Sequence, residues 1–155
     1  MIKAYLFDWG DTIMKDFPDQ TGPMYAWDKV ESMSHADEML QLLSAKSDCY
    51  LATNAKDSTK DDILKALKRV KLDKYFKDIF CYRELGVAKP SLKYFNLILS
   101  KLNLWKEEIV MVGDNIESDI REVQKHGIDA ILYDPQDRHK DYRGKRITDL
   151  IQLLD

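Results

Sequence analysis

Two apolar runs in this chain end in acidic residues, and both endings could carry a nucleophile or a metal. In Ile109-Val-Met-Val-Gly113-Asp114-Asn-Ile-Glu-Ser-Asp119, a strand-like run stops at Gly113-Asp114, and Asp119 follows within the next helical stretch. The N-terminal run Ile2-Lys-Ala-Tyr-Leu-Phe-Asp8-Trp-Gly-Asp11-Thr12 repeats the pattern. Carboxylates at the carboxyl ends of parallel strands lie where open α/β sheets bind their ligands. Hard cations such as Mg²⁺ take oxygen ligands, and one or two carboxylates plus a substrate phosphate often suffice. The two runs together point to phosphate chemistry supported by a divalent metal.

Such a site needs a sheet to hold it. Strand-length apolar runs recur at Ile2–Phe7, Cys49–Ala52, Asp78–Tyr82, Ile109–Val112 and Ala130–Tyr133. Helical patterns alternate with them. Ala36, Met39, Leu40 and Leu43 share one face of a helix expected over His35–Lys46, and Ile63, Leu64, Leu67 and Val70 do so within Asp57–Lys71. Acidic residues early in that second helix and Lys68, Arg69 and Lys71 late in it suit the helix dipole. Pro90 fits a first helical position for a helix running to Asn103. Ile116–His126 closes at Gly127, and Ile147–Leu154 reads as a last short helix. Strand–helix alternation implies right-handed crossovers, hence a single doubly wound, three-layer α/β domain of the Rossmann-like kind over residues 1–155. Its mostly parallel sheet is expected to have about five strands.

The segment Lys15–Ser34 contains Pro18, Gly22 and Pro23 and reads as loop. The polar stretch Asp134–Arg146 carries a basic cluster, which fits a solvated loop or a patch for an anionic partner. A length of 155 residues suits one domain with its own core. Hydrophobic residues at 45% and charged residues at 33% argue against disorder. A net charge of -3 gives no reason to expect nucleic acid or a membrane surface as partner. The N-terminus enters strand pattern at once, without signal-peptide features, and no apolar run is long enough to span a bilayer. Cys49 and Cys81 sit in apolar runs as buried free thiols rather than a disulfide, which suits a reducing, cytoplasmic setting.

Four chemically useful sites fall at strand ends: Asp8, Thr53-Asn54, Lys89, and Asp114 with Asp119. A phosphoryl-transfer site needs a nucleophile, a metal anchor, donors for the phosphate oxygens and a fixed cation. Phe7-Asp8-Trp-Gly-Asp-Thr12, Ala52-Thr53-Asn54, Leu85-Gly-Val-Ala-Lys89-Pro90 and Val112-Gly-Asp114-Asn-Ile-Glu-Ser-Asp119 occur in that order. In these four segments the chain resembles the haloacid dehalogenase superfamily of hydrolases, and the resemblance spans essentially the whole sequence. It implies that Asp8 is a nucleophile forming an aspartyl-phosphate. It further implies that Asp8, the Gly10 backbone carbonyl and Asp114 hold Mg²⁺, with Asp119 in support. Thr53 and the Asn54 amide would bind phosphate oxygens, and Lys89 would neutralise the phosphate and steady Asp8. The implied activity is that of a Mg²⁺-dependent phosphatase.

One position departs from the family pattern. Phosphatases of this kind carry a second aspartate two residues after the nucleophile, which protonates the leaving oxygen and later activates water. Here that position is Gly10, and aspartate follows at position 11. General acid–base help is worth about 10²–10⁴-fold. Asp11 could substitute through a shifted loop, or the enzyme could favour leaving groups that need little protonation. Dehalogenase or phosphonate-hydrolase chemistry, and a phosphate-binding or regulatory protein with little turnover, are the other readings. The stretch 13–34 is too short for a helical cap and would form a loop or short flap, with Phe17, Met24, Tyr25 and Trp27 as flap or packing residues. An open site suits a phosphorylated small molecule or an exposed phosphate on a larger one, and leaves room for a homo-oligomer whose neighbouring subunit acts as lid.

Overall fold

In the central strands, alternate side chains enter opposite cores, and this alternation builds the three layers. The structure, a computed structural model, describes residues 1–155. From β1 (Ala4–Phe7), Phe7 joins one core while Ala4 and Leu6 join the other. From β2 (Asp48–Thr53), Cys49 and Leu51 face the first core and Tyr50 and Ala52 the second. β4 (Ile109–Gly113) splits in the same way, with Val110 and Val112 opposite Ile109 and Met111. Burial on both faces is why these strands read as continuous apolar runs and not as alternation.

With β3 (Asp78–Cys81), β5 (Asp129–Tyr133) and β6 (Arg146–Ile147), the strands form one parallel sheet in the order β3-β2-β1-β4-β5-β6. Helices α1 (Ala36–Leu43) and α2 (Lys60–Arg69) cover the first face. Helix α3 (Tyr82–Leu85) follows β3 directly, and α4 (Leu92–Leu102) and α5 (Glu122–Lys125) pack on the second face. The chain winds from β1 outward to β3, then returns to lay β4 against the other side of β1. The switch point therefore lies between β1 and β4, where a crevice opens at the carboxyl ends of the strands. Both acidic strand ends are there.

Several elements differ from the sequence expectation. The sheet has six strands, not about five, because Arg146–Ile147 pairs with Leu132 and Tyr133. Two residues at a sheet edge leave no periodic trace, and Ile147 therefore looked like the start of the last helix. That helix is a 3₁₀ turn, Leu150–Leu154, capped by the Asp149 carboxylate. Pro90 is not the first residue of α4: the Lys89–Pro90 bond is cis, and Ser91 caps the helix by accepting the Lys93 N–H at 3.2 Å. Helix α2 is shorter than Asp57–Lys71 because Thr59 and Asp62 form a reciprocal capping box that sets its start. The stretch after Asp114 begins as a π-helical turn, Ile116–Arg121, before α5. It ends as expected at Gly127, whose φ is +83°. Cys49 and Cys81 are buried and unbridged.

The segment 13–34 is a loop with a single 3₁₀ turn, Met24–Ala26. Met14 bridges to Gly10 and Ser32, and the Met33 N–H donates to the Ile13 carbonyl at 2.8 Å. Met24 and Trp27 are buried in the first core. Arg69, at the end of α2, donates to the carbonyls of Tyr25 at 3.0 Å and Trp27 at 2.5 Å, while Lys65 lies 5.0 Å over the Tyr25 ring. Phe17 and Tyr25 pack partly buried against that core, Met24 and Trp27 also line a cavity shared with Asp8 and Asp114, and the loop is fastened to α2. No helix in the chain is long and apolar enough to cross a membrane.

Candidate active site

The ladder between β1 and β4 sets the site. Phe7 pairs with Val112, and the Asp8 N–H donates to the Val112 carbonyl at 2.9 Å. Asp8 and Asp114 therefore leave adjacent strands at the same edge. Thr12 is fully buried and donates from Oγ1 to Asp114 Oδ1 at 3.2 Å, fixing that carboxylate from the β1 side. Asp119 comes back toward the strand on the π-helical turn. Its carboxylate is fully buried, and Oδ2 accepts the Asn115 N–H at 3.2 Å. The three carboxylates of Asp8, Asp114 and Asp119 present oxygens within 4.8 Å of one another.

Lys89 enters from the loop before α4 and bridges two of them. Its Nζ donates to Asp8 Oδ1 at 2.8 Å and to Asp119 Oδ1 at 2.7 Å, and its side chain is 1% exposed. The Asn54 side chain holds the lysine's backbone at two points. Asn54 Oδ1 accepts the Lys89 N–H at 2.8 Å, and Nδ2 donates to the Lys89 carbonyl at 3.0 Å. The Thr53 hydroxyl accepts the Ala55 N–H at 3.1 Å, so its own proton is free for an incoming acceptor.

One buried ammonium against three carboxylates leaves surplus negative charge. Burial would raise the Asp8 carboxyl, but Lys89, a hydrogen bond from Asp114 and the Trp9 N–H outweigh it and hold the group below its usual range. Burial, then Asp8, push Asp114 up to about 8. Burial raises Asp119 to about 6 against the pull of Lys89. Burial works against the charge on Lys89, yet Asp8 and Asp119 hold its ammonium above the ordinary lysine range. Oxygen donors that crowd together and resist shared ionisation suit a hard cation, which would relieve the repulsion.

Asp8, Gly10, Thr53, Asn54 and Asp114 line one open cavity of about 380 Å³, with Lys56 and Ser118 also on its wall. Asp11 lines it too, with its backbone at φ +58° and its Oδ1 accepting the Asp16 N–H at 3.0 Å. Of the residues singled out for chemistry, Asp8, Gly10, Asp11, Thr53, Asn54 and Asp114 line this cavity, and Lys89 and Asp119 are buried behind Asp8. Sequence reasoning missed the Asn54 side-chain clamp, the Thr12 bond to Asp114 and the presence of Asp16 in the cavity wall. Nothing in the spacing of residues 54 and 89 signals their contact, and nothing in the spacing of residues 12 and 114 signals theirs.

A family model described as haloacid dehalogenase-like hydrolase matches residues 8–133. The chain belongs to that family. Among curated relatives of these hydrolases, a glyceraldehyde 3-phosphate phosphatase of Pyrococcus furiosus is 29% identical over 74% of this chain and 50% of its own. Pyrophosphatase PpaX of Listeria monocytogenes is 30% identical over 68% of this chain and 54% of its own. The chain spans about half the length of the curated relatives it matches. Solved structures agree on the haloacid dehalogenase-like fold. An uncharacterized Listeria monocytogenes protein superposes with TM-score 0.85 at 24% identity, over 98% of this chain and 94% of that one. YfnB of Bacillus subtilis, solved bound to magnesium, superposes with TM-score 0.78 at 18% identity, over 98% and 96% of the two chains.

Proposed function

We propose that this hydrolase is a Mg²⁺-dependent phosphatase acting on phosphate monoesters through a phospho-Asp8 intermediate. The observation that carries this reading is the Lys89 bridge, which holds Asp8 charged at the mouth of a polar cavity beside two further carboxylates. A carboxylate kept ionised and fixed in direction is a competent nucleophile toward phosphorus. Asp8, the Gly10 carbonyl and Asp114 are the residues that would hold Mg²⁺, with Asp119 in support behind Lys89. The cation, when bound, supplies positive charge to the phosphoryl oxygens. Lys89 neutralises and orients the phosphoryl group, and the Thr53 hydroxyl and Asn54 N–H donate to its remaining oxygens. The names of the curated relatives, a glyceraldehyde 3-phosphate phosphatase and a pyrophosphatase, support phosphorylated small molecules as the substrate class. The fastened loop at 13–34 stands where a cap would and leaves the cavity open, so an exposed phosphate on a larger molecule also fits.

The test is release of inorganic phosphate from a panel of phosphate esters, with and without Mg²⁺, by wild type and Asp8→Asn together. Release that needs Mg²⁺ and disappears in Asp8→Asn is expected. A wild type inactive on the whole panel, or one that releases halide or an aldehyde instead, would sink the proposal.

A further inference from the structure

Position ten has no side chain, yet an aspartate stands beside it. A β-carbon built on Gly10 would meet the Cβ of Asp16 at 3.8 Å and nothing nearer. Asp16 lines the same cavity as Asp8, Thr53 and Asp114. It also lines an adjoining cavity of about 330 Å³ that runs toward the loop after β5. The local backbone fixes its place. The Asp16 N–H is held by Asp11 Oδ1 at 3.0 Å, and the Lys15 N–H by the Glu31 carbonyl at 2.9 Å. Asp11 thereby spends a carboxylate oxygen on holding its neighbour, whereas the Asp16 carboxylate takes a backbone hydrogen bond from the Phe17 N–H and is paired with no other side chain.

We propose that Asp16 is the general acid and base of the reaction, and that Asp11 is the positioning residue that aims it. The inference rests on the phospho-Asp8 reading. In the first half-reaction, an Asp8 oxygen bonds to phosphorus and the bond from phosphorus to the leaving oxygen breaks. The electron pair stays on the leaving oxygen, which takes the proton of the Asp16 carboxyl. In the second, a water oxygen bonds to phosphorus and gives a proton to the Asp16 carboxylate. The bond from phosphorus to Asp8 then breaks, restoring the Asp8 carboxylate, the Asp16 carboxyl and free phosphate. Partial desolvation at the cavity wall, then the adjacent Asp11 carboxylate, raise the Asp16 carboxyl above its ordinary range. That direction favours the proton needed at the start of the cycle.

The experiment compares 4-nitrophenyl phosphate, whose leaving group needs little protonation, with phenyl phosphate, whose leaving group needs more. Asp16→Asn is expected to lose about 10²–10⁴-fold in kcat/KM on phenyl phosphate and much less on 4-nitrophenyl phosphate. With 4-nitrophenyl phosphate it should also show a burst of nitrophenol, because water attack on the phosphoenzyme is slowed. Gly10→Asp combined with Asp16→Asn should recover much of the loss, since a β-carbon at position ten meets Asp16 only at ordinary contact distance. Equal losses on both substrates, full retention in Asp16→Asn, or a loss that follows His139→Gln instead would each overturn the inference. His139 is the rival because it lines the adjoining cavity. If wild type releases no phosphate, the phospho-Asp8 reading and this inference fall together. If Asp8→Asn abolishes release while Asp16→Asn keeps it on both esters, this inference alone falls.

Discussion

The Asp119 carboxyl fills the space that a β-carbon on Gly113 would occupy, its Oδ2 and Cγ lying well inside van der Waals contact of that position. The glycine is required by this close approach, because any side chain at 113 displaces the carboxylate that anchors Lys89. Gly113→Ala should lower stability by about 1–3 kcal/mol through overpacking and reduce phosphate release sharply. Denaturant unfolding and a phosphatase assay on one preparation check both. An unchanged midpoint with full activity would show that Asp119 has room to shift.

The two-point hold of Asn54 on Lys89 makes a second prediction. Asn54→Ala leaves a donor and an acceptor of the Lys89 backbone without partners, at about 1–3 kcal/mol for each one left unsatisfied. The lysine then keeps its two carboxylate partners but loses the hold on its backbone that aims it at Asp8, so kcat/KM should fall at least tenfold, or about 1.4 kcal/mol. Asn54→Asp keeps the acceptor for the Lys89 N–H and loses the donor to the carbonyl, and it should fall between wild type and alanine. Indistinguishable kinetics in all three proteins would mean that the clamp does not position the lysine.

Arg69 ties the loop at 23–28 to the end of α2 through carbonyls alone. Arg69→Ala should free that loop and let water reach Trp27, which is 9% exposed in the folded chain. Faster amide hydrogen exchange across residues 22–28, with β1 and β4 unaffected, is the expected pattern. Exchange as slow as in wild type would assign the fastening to the apolar contacts of Met24 and Trp27.

A pH dependence belongs to the C-terminal end. His35 Nδ1 lies 2.8 Å and 2.9 Å from the two Asp149 oxygens, joining the start of α1 to the final 3₁₀ turn. The hydrogen bond and charge of Asp149 raise the His35 imidazole. The Ile151 N–H, then His35, lower Asp149. A raised histidine contributes stability that is complete below its unfolded value, about 6.5, and is lost as pH rises through its folded value. A lowered aspartate contributes stability above its unfolded value, about 3.9, and loses it as pH falls. The link is therefore strongest between about pH 4 and 6.5. His35→Asn, which tolerates the φ of +62° at this position, should flatten the fall in melting temperature between neutral pH and about pH 8. If the wild-type and variant melting curves run parallel with pH, the pair contributes nothing.

What could be read from the sequence follows how burial is patterned. Ile109–Val112 and Tyr50–Ala52 are buried on both faces of the sheet, so their runs stood out as strands. The switch point then followed from where those runs ended. β6 was hidden because two edge residues carry no period, and the start of α4 was hidden because Ser91 caps it one residue past Pro90. At the site, Asp8 and Asp114 were legible because each follows directly on a strand, whereas Lys89, past α3, and Asp119, inside the π-helical turn, were legible only through the four-segment resemblance. Asn54 and Thr12 were not, since a side chain that holds another residue's backbone or carboxylate leaves no mark on local spacing. Asp16 sits inside a loop with no periodic partner, and only the fold places it beside position ten.

The π-helical winding of Ile116–Arg121 limits how this stretch can vary in length. Asp119 reaches Lys89 because the wide turn brings it back over Gly113. In ordinary α-helix each residue turns the chain by about 100°. Deleting one residue between Asn115 and Ser118 would swing Asp119 out of the buried site and set another side chain against Gly113. Substitutions on the exposed side of this turn should be tolerated, whereas insertions and deletions should not. In a library of single-residue deletions, this stretch should emerge as a gap among functional survivors.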